Sequence, residues 1–191
     1  MTKARMETFS DGVIAIIITI MVLELKVPHE SNPAALLPLV PIFLSYVLSF
    51  VFLGIYWSNH HHLLHAVERV SGGVLWANLH LLFWLSLTPF VTAWMGENYF
   101  APWSVALYGT VLLFSAIAYF ILTRALISVH GRDSVLAIAV GKDFKGQISA
   151  LIYLVAIPLA LVQRWLAFAL IVLVAVMWLV PDRRIERTLA E

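Results

Sequence analysis

Cysteine is missing from all 191 residues, so disulfides, thiolate metal sites and cysteine nucleophiles are excluded. Charge is scarce. Asp, Glu, Lys and Arg make up 12% of the chain, against about 25% in an ordinary soluble domain. Neither sign dominates: the formal net charge is +1, which leaves no basic stripe for a phosphate backbone and excludes a nucleic-acid partner. No low-complexity tract and no internal repeat stands out. What is present instead is apolar surface. Hydrophobic residues reach 62%, with a mean hydropathy of +0.93. A single soluble core of this size cannot hide that much apolar surface. The composition therefore points to an all-α integral membrane protein whose mass lies almost wholly in the bilayer.

A bilayer core of about 30 Å needs about 20 apolar residues per helix. Six such runs are legible, at about 9–27, 36–57, 74–95, 102–128, 147–163 and 165–180, and form one transmembrane domain over 1–191. The last two nearly fuse at Gln163-Arg164 and predict a tight helical hairpin. The first run carries Arg5, Glu7 and Asp11 at its start and lacks a small-residue cleavage site, so it reads as a permanent span and not as a leader. Between the fourth and fifth runs, the apolar stretch Ser134 to Val140 predicts a short interfacial helix. Trp57, Trp76, Trp94, Trp103, Trp165 and Trp178 fall near span ends, as interfacial anchors do.

The basic residues set the orientation. Ten sit on one side: Lys3, Arg5, Arg69, Arg124, Arg132, Lys142, Lys145, Arg183, Arg184 and Arg187. Only Lys26 and Arg164 sit on the other. With an even number of spans, both termini share the basic face. That places them in the cytoplasm of a multi-pass protein of the cell inner (plasma) membrane.

Polar groups inside apolar runs mark function. At roughly 100° per residue, Glu7 and Asp11 share one side of the first helix. Gly12, Ile16, Thr19, Ile20, Leu23 and Val27 gather on the opposite side, and Glu24 follows near its end. An acidic group at the membrane edge needs partners or water, so Asp11 is expected to face neighbouring helices of its own subunit. Candidate partners lie in Tyr56-Trp57-Ser58-Asn59-His60-His61-His62 and His65 at the end of the second run, and in Asn78 and His80 of the third. One hydrogen-bonded cluster of Arg5, Glu7, Ser10, Asp11, the histidines and Asn78 would fix the tilt and rotation of the first helix. The alternative is separate solvation of each group. His61 and His65, four apart, also have a spacing that suits a metal. No second histidine box and no carboxylate–histidine pair inside a span supports that reading.

Three ordered motifs resemble a known family. Arg5-x-x-x-Phe9-Ser10-Asp11 resembles the signature of the transmembrane protein 175 family of lysosomal and prokaryotic potassium channels. Tyr56-Trp57-Ser58-Asn59-His60-His61 is similar to its second pattern. Asn78, followed by Leu82, Leu85 and Leu87-Thr88-Pro89-Phe90, is similar to its third. A single six-helix unit resembles the prokaryotic members, since the animal members carry two units per chain. The resemblance implies a homotetramer with four first helices around a pore. It implies a potassium-selective channel, weakly selective over sodium, that carries a hydrophobic constriction in place of a Thr-Val-Gly-Tyr-Gly filter, a motif absent from this sequence. It implies Ile16 as the main constriction, Thr19 as a hydroxyl layer, and Leu23 with Ile20 as further apolar contributors. Arg5, Phe9, Ser10 and Asp11 would hold the first helix against Asn78 and either His60 or His61. Glu24 would raise cation concentration at the outer mouth. The implied partners are a second copy of the chain, lipid and monovalent cations, with no cofactor beyond the permeant K+. A proton or cation secondary transporter is the alternative, although matched broken half-helices are missing. A histidine-rich membrane metalloenzyme is the more distant one.

Overall fold

A computed structural model describes residues 2–131, 133–141 and 143–179. Arg132, Lys142, Val180, Arg183, Arg184 and Arg187 lie outside the described residues. Among the described residues eight α-helices follow one another: α1 (Lys3–Leu23), α2 (Val40–His65), α3 (Gly72–Ser86), α4 (Thr88–Glu97), α5 (Pro102–His130), α6 (Val135–Val140), α7 (Phe144–Val162) and α8 (Arg164–Leu179). Among the described residues there is no strand.

Local chemistry places most helix ends. Asn32 accepts the Ala35 N–H at 3.1 Å and opens a 3₁₀ turn over Pro33–Leu39 that leads into α2. Ser71 caps α3 by accepting from Val74 N, and Pro102 opens α5 where a missing N–H costs least. Gly131, at φ 91°, ends α5. Asp143, itself left-handed at φ 42°, caps α7 by accepting from Gly146 N at 3.2 Å. Ser134 caps α6, so the short helix expected over Ser134 to Val140 is present and buries Leu136 and Ala139. One residue, Gln163, joins α7 to α8, as the expected hairpin requires.

Three of the six runs differ clearly in extent from the sequence pattern, the second also running on to His65. The first helix starts earlier, at Lys3, and stops at Leu23, so Val27 lies beyond its end and off the face that the periodicity assigned to it. The second starts later, because Pro33 and Pro38 favour the 3₁₀ turn over an α-helix across 33–39. The third run is broken at Leu87 into α3 and α4. Pro89 has no N–H to give the Leu85 carbonyl, and its ring crowds that carbonyl. Even so, α1, α2 with its 3₁₀ lead-in, α3 with α4, α5, and α7 are each long and apolar enough to cross a membrane. The sixth apolar helix, α8, is shorter at 16 residues, about 24 Å.

The core divides along the bundle. One cluster packs Met6, Ile14 and Ile17 of α1 against Leu64 of α2, Leu81 of α3, Leu122 of α5 and Leu136 of α6. The other packs Phe52 of α2, Met95 of α4 and Tyr108 of α5 against Tyr153 of α7 and Ile171 of α8. The longest helix, α5, contributes to both and ties the two halves together. In the second half, a buried hydroxyl chain links three helices. Ser49 Oγ lies 2.6 Å from Thr92 Oγ1 and 2.9 Å from Tyr108 Oη, and Thr92 donates to the Thr88 carbonyl at 2.7 Å.

Helices α2 and α4 touch closely at Gly96. A Cβ there would sit 2.6 Å from the Ile42 Cα, which is backbone and cannot swing aside. Gly96→Ala is therefore expected to destabilise the fold by about 1–3 kcal/mol, read as a lowered melting temperature of the purified protein in detergent.

Candidate functional site: the two faces of the first helix

Helix α1 buries one stripe: Met6, Ser10, Ile14, Ile17 and Met21, at spacings of four, four, three and four. The polar member of that stripe sets the helix's place. Ser10 Oγ donates to the Met6 carbonyl at 2.8 Å and accepts from Asn78 Nδ2 at 2.9 Å. Asn78 Oδ1 in turn lies 2.7 Å from His60 Nε2. A carboxamide oxygen only accepts, so the proton sits on His60 Nε2. Ser10, His60 and Asn78 are 0%, 1% and 1% exposed, and they come from α1, α2 and α3. Among the described residues no buried side-chain nitrogen or oxygen lacks a hydrogen-bond partner, and the three bonds of the relay fix the rotation of α1 about its axis.

A second, wetter set of contacts flanks the relay. Asp11 Oδ1 accepts from Trp57 Nε1 at 3.1 Å. Glu7 Oε1 lies 3.4 Å from His61 Nδ1. The His61 ring stacks on Trp57 and meets the rings of His62 and His65. The choice left open between His60 and His61 thus divides: His60 binds Asn78, His61 faces Glu7, and Asp11 takes a tryptophan. Trp57 stands in the candidate segment and among the interfacial anchors, but it is not one of the residues the sequence pattern assigns to the cluster. Its position one turn before His60 and His61 on the α1-facing side was the available signal.

Arg5 and Phe9 do not join this network. Both are exposed, and Arg5 makes no hydrogen bond or ion pair among the described residues. They precede Ile16 by eleven and seven residues, three and two helical turns, so they share its face. That face carries Phe9, Gly12, Ile16, Thr19, Ile20 and Leu23, and none of the described residues covers it. Ile16, Ile20 and Leu23 are 58%, 43% and 77% exposed. Thr19 Oγ1 donates to the Ile16 carbonyl at 2.9 Å, which turns its lone pairs away from the helix. Glu24 caps the C-terminal end of α1, and the nearby Lys26 pairs with Glu97 at 3.3 Å. His80 stands apart and accepts from Trp84 Nε1 at 3.0 Å. Among the described residues, no three His, Cys, Asp or Glu side chains converge as metal ligands would.

The fold and this site define a multi-pass, all-helical membrane protein with a rigidly held N-terminal helix. The family model described as the endosomal/lysosomal potassium channel TMEM175 matches residues 5–89, which include the first two motifs and the third as far as Pro89. A potassium channel of Chryseobacterium sp. (strain P1-3) is 53% identical over 191 residues, spanning 100% of both chains. A potassium channel of Chamaesiphon minutus is 31% identical over 90% of this chain and 91% of its own. The crystal structure of a lysosomal potassium-selective channel TMEM175 homolog from Chamaesiphon minutus superposes with a TM-score of 0.81. It is 30% identical and covers 94% of this chain and 97% of its own. The chain belongs to the TMEM175 family, a family of channels and not of enzymes.

Truncating Asn78 strands two buried polar partners. Asn78→Ala should lower stability by about 1–3 kcal/mol, the cost of a buried unsatisfied group. Trp57→Phe keeps the stacked ring and strands only the more exposed Asp11, so its melting temperature in detergent should fall less. An equal fall for both would show that the relay is not the stronger clamp.

Proposed function

We propose that this chain forms a homotetrameric, potassium-selective cation channel in the cell inner membrane, weakly selective over sodium, with six crossings per subunit and both termini cytoplasmic. The crossings are α1, α2, α3 with α4, α5, α7 and α8. The observation that carries the reading is the uncovered apolar stripe on α1, opposite a stripe held by buried polar bonds. A helix that is merely lipid-facing needs no such rotational lock. Four copies arranged around an axis would bring the stripes together along a shared path and shield them from lipid. The potassium-channel names of the full-length relatives support the same reading.

In that arrangement Ile16 forms a narrow apolar ring. Water leaves such a ring when it is tight, and a hydrated cation then cannot pass. An outward tilt of α1 widens and wets it. Ile20 and Leu23 add apolar rings about 6 Å and 10 Å further along. Thr19 supplies four hydroxyl oxygens, and because each donates to its own helix, its lone pairs can replace part of an ion's water shell. Glu24 draws cations to the outer mouth. The Ser10–Asn78–His60 relay holds the rotation of α1, so it governs which residues reach the axis without touching the ion. Arg5 and Phe9, on the stripe's cytoplasmic end, line the inner entrance.

Purified protein in liposomes should pass K+ without a coupled ion. Ile16→Asn should wet the ring and raise conductance and open probability; an unchanged current would place the constriction elsewhere. Thr19→Val should move the K+/Na+ permeability ratio towards one. Asp11→Ala should alter assembly or gating before ion choice, and a stable Asp11→Ala channel with altered selectivity would put that carboxylate in the pore.

A further inference from the structure

On a different face of α2 from the one that meets α1, a cavity of about 270 Å³ opens between α2, α5, α7 and α8. Along α2 it runs from Phe52 to Asn59, which is seven residues or about 10 Å. Its inner walls are apolar, with Phe52, Ile55, Ala116, Ala150 and the ring of Tyr153 among them. Its polar groups gather at one end, where α7 begins and α8 finishes. Two cations lean on the rings that wall this end. The Arg124 guanidinium lies 5.0 Å from the Phe120 centroid, and Lys145 Nζ lies 5.8 Å from that of Trp178. Among the described residues lining the same end, the one carboxylate is that of Asp143, which caps α7. The cavity therefore has a hydrocarbon-like length and a rim with a net positive charge. Such a space gives water few hydrogen-bond partners, whereas a methylene chain fills it without loss. The surrounding faces of α5 and α7, with Ile117, Ile121, Leu151 and Leu154, are exposed and apolar, so the occupant can reach it from the bilayer.

We propose that this cavity is a binding site for one anionic phospholipid per subunit, with an acyl chain between α2, α5 and α7 and its phosphate at the Arg124–Lys145 rim. The length of the slot suits an acyl chain, and the sign of the rim selects an anionic headgroup over a zwitterionic one. The site also has a mechanical connection to the first helix. Tyr119, in the cavity wall, donates to the Asn59 carbonyl at 3.2 Å, and Asn59 is the residue next to His60 of the relay. An occupied cavity would brace α2 on the side away from α1.

Native mass spectrometry of the full-length protein, delipidated and then incubated with phosphatidylglycerol or phosphatidylcholine of equal chain length, tests the site. The wild type should retain one phosphatidylglycerol per subunit at least fivefold over phosphatidylcholine. Ala150→Trp should fill the cavity and abolish retention of both lipids. Ala116→Phe fills it from the opposite wall and gives the same reading should Ala150→Trp lose helicity by circular dichroism. Arg124→Gln with Lys145→Gln should keep lipid retention but lose the headgroup preference. The proposal is overturned by equal retention of the two lipids by the wild type, or by filled-cavity variants that hold lipid as the wild type does. It is equally overturned if inorganic phosphate at millimolar concentration displaces the bound lipid, which would make the rim a plain anion site. None of these readouts depends on ion conduction.

Discussion

The arrangement depends on one buried relay, Ser10 to Asn78 to His60. Removed from water, each of these groups is costly unless bonded, and only one relative placement of three helices bonds all of them. Apolar packing between α1 and its neighbours is nearly isotropic and tolerates small slides and rotations. The relay does not. It converts a greasy helix that would turn easily in lipid into one whose exposed side is fixed, and the identity of that exposed side determines what the subunit offers to a second copy.

The outer helices serve that end in a different way. Helix α5 runs the length of the bundle and belongs to both halves of the core. Around it the Ser49–Thr92–Tyr108 chain ties α2, α4 and α5, and Met21 of α1 lies against Thr92 at 4.0 Å. Helix α1 thus takes polar contacts from α2 and α3 towards its N-terminal end and from α4 towards its C-terminal end. The difference lies in wetness. The Glu7–His61 and Asp11–Trp57 contacts are part-exposed and can loosen against water, while the relay and the hydroxyl chain cannot.

Much of this was legible in the sequence. Periodicity alone separated Glu7 and Asp11 from Ile16, Thr19, Ile20 and Leu23, because a helix has a fixed angular step and charge is rare enough to stand out. The α7–α8 hairpin and the short α6 followed from length and punctuation. The partners of the polar groups did not follow, because they depend on which helices are adjacent and at what depth. The hydrogen-bond donor to Asp11 is Trp57, which lies beside the histidines, while the buried histidine binds a carboxamide. Arg5 and Phe9 were grouped with Ser10 and Asp11 by motif, yet their angular position puts them with Ile16; a motif records adjacency in sequence, and a helix disperses it around its surface. Ser49, Thr88 and Thr92 gave no warning, since hydroxyls in apolar runs commonly bond their own backbone.

The single-residue joint at Gln163 has a consequence for biogenesis. A linker that short cannot let one of its two helices wait outside the bilayer while the other enters. Helices α7 and α8 therefore move as one packed pair, and α8, only 16 residues long, is held to its neighbour by that joint.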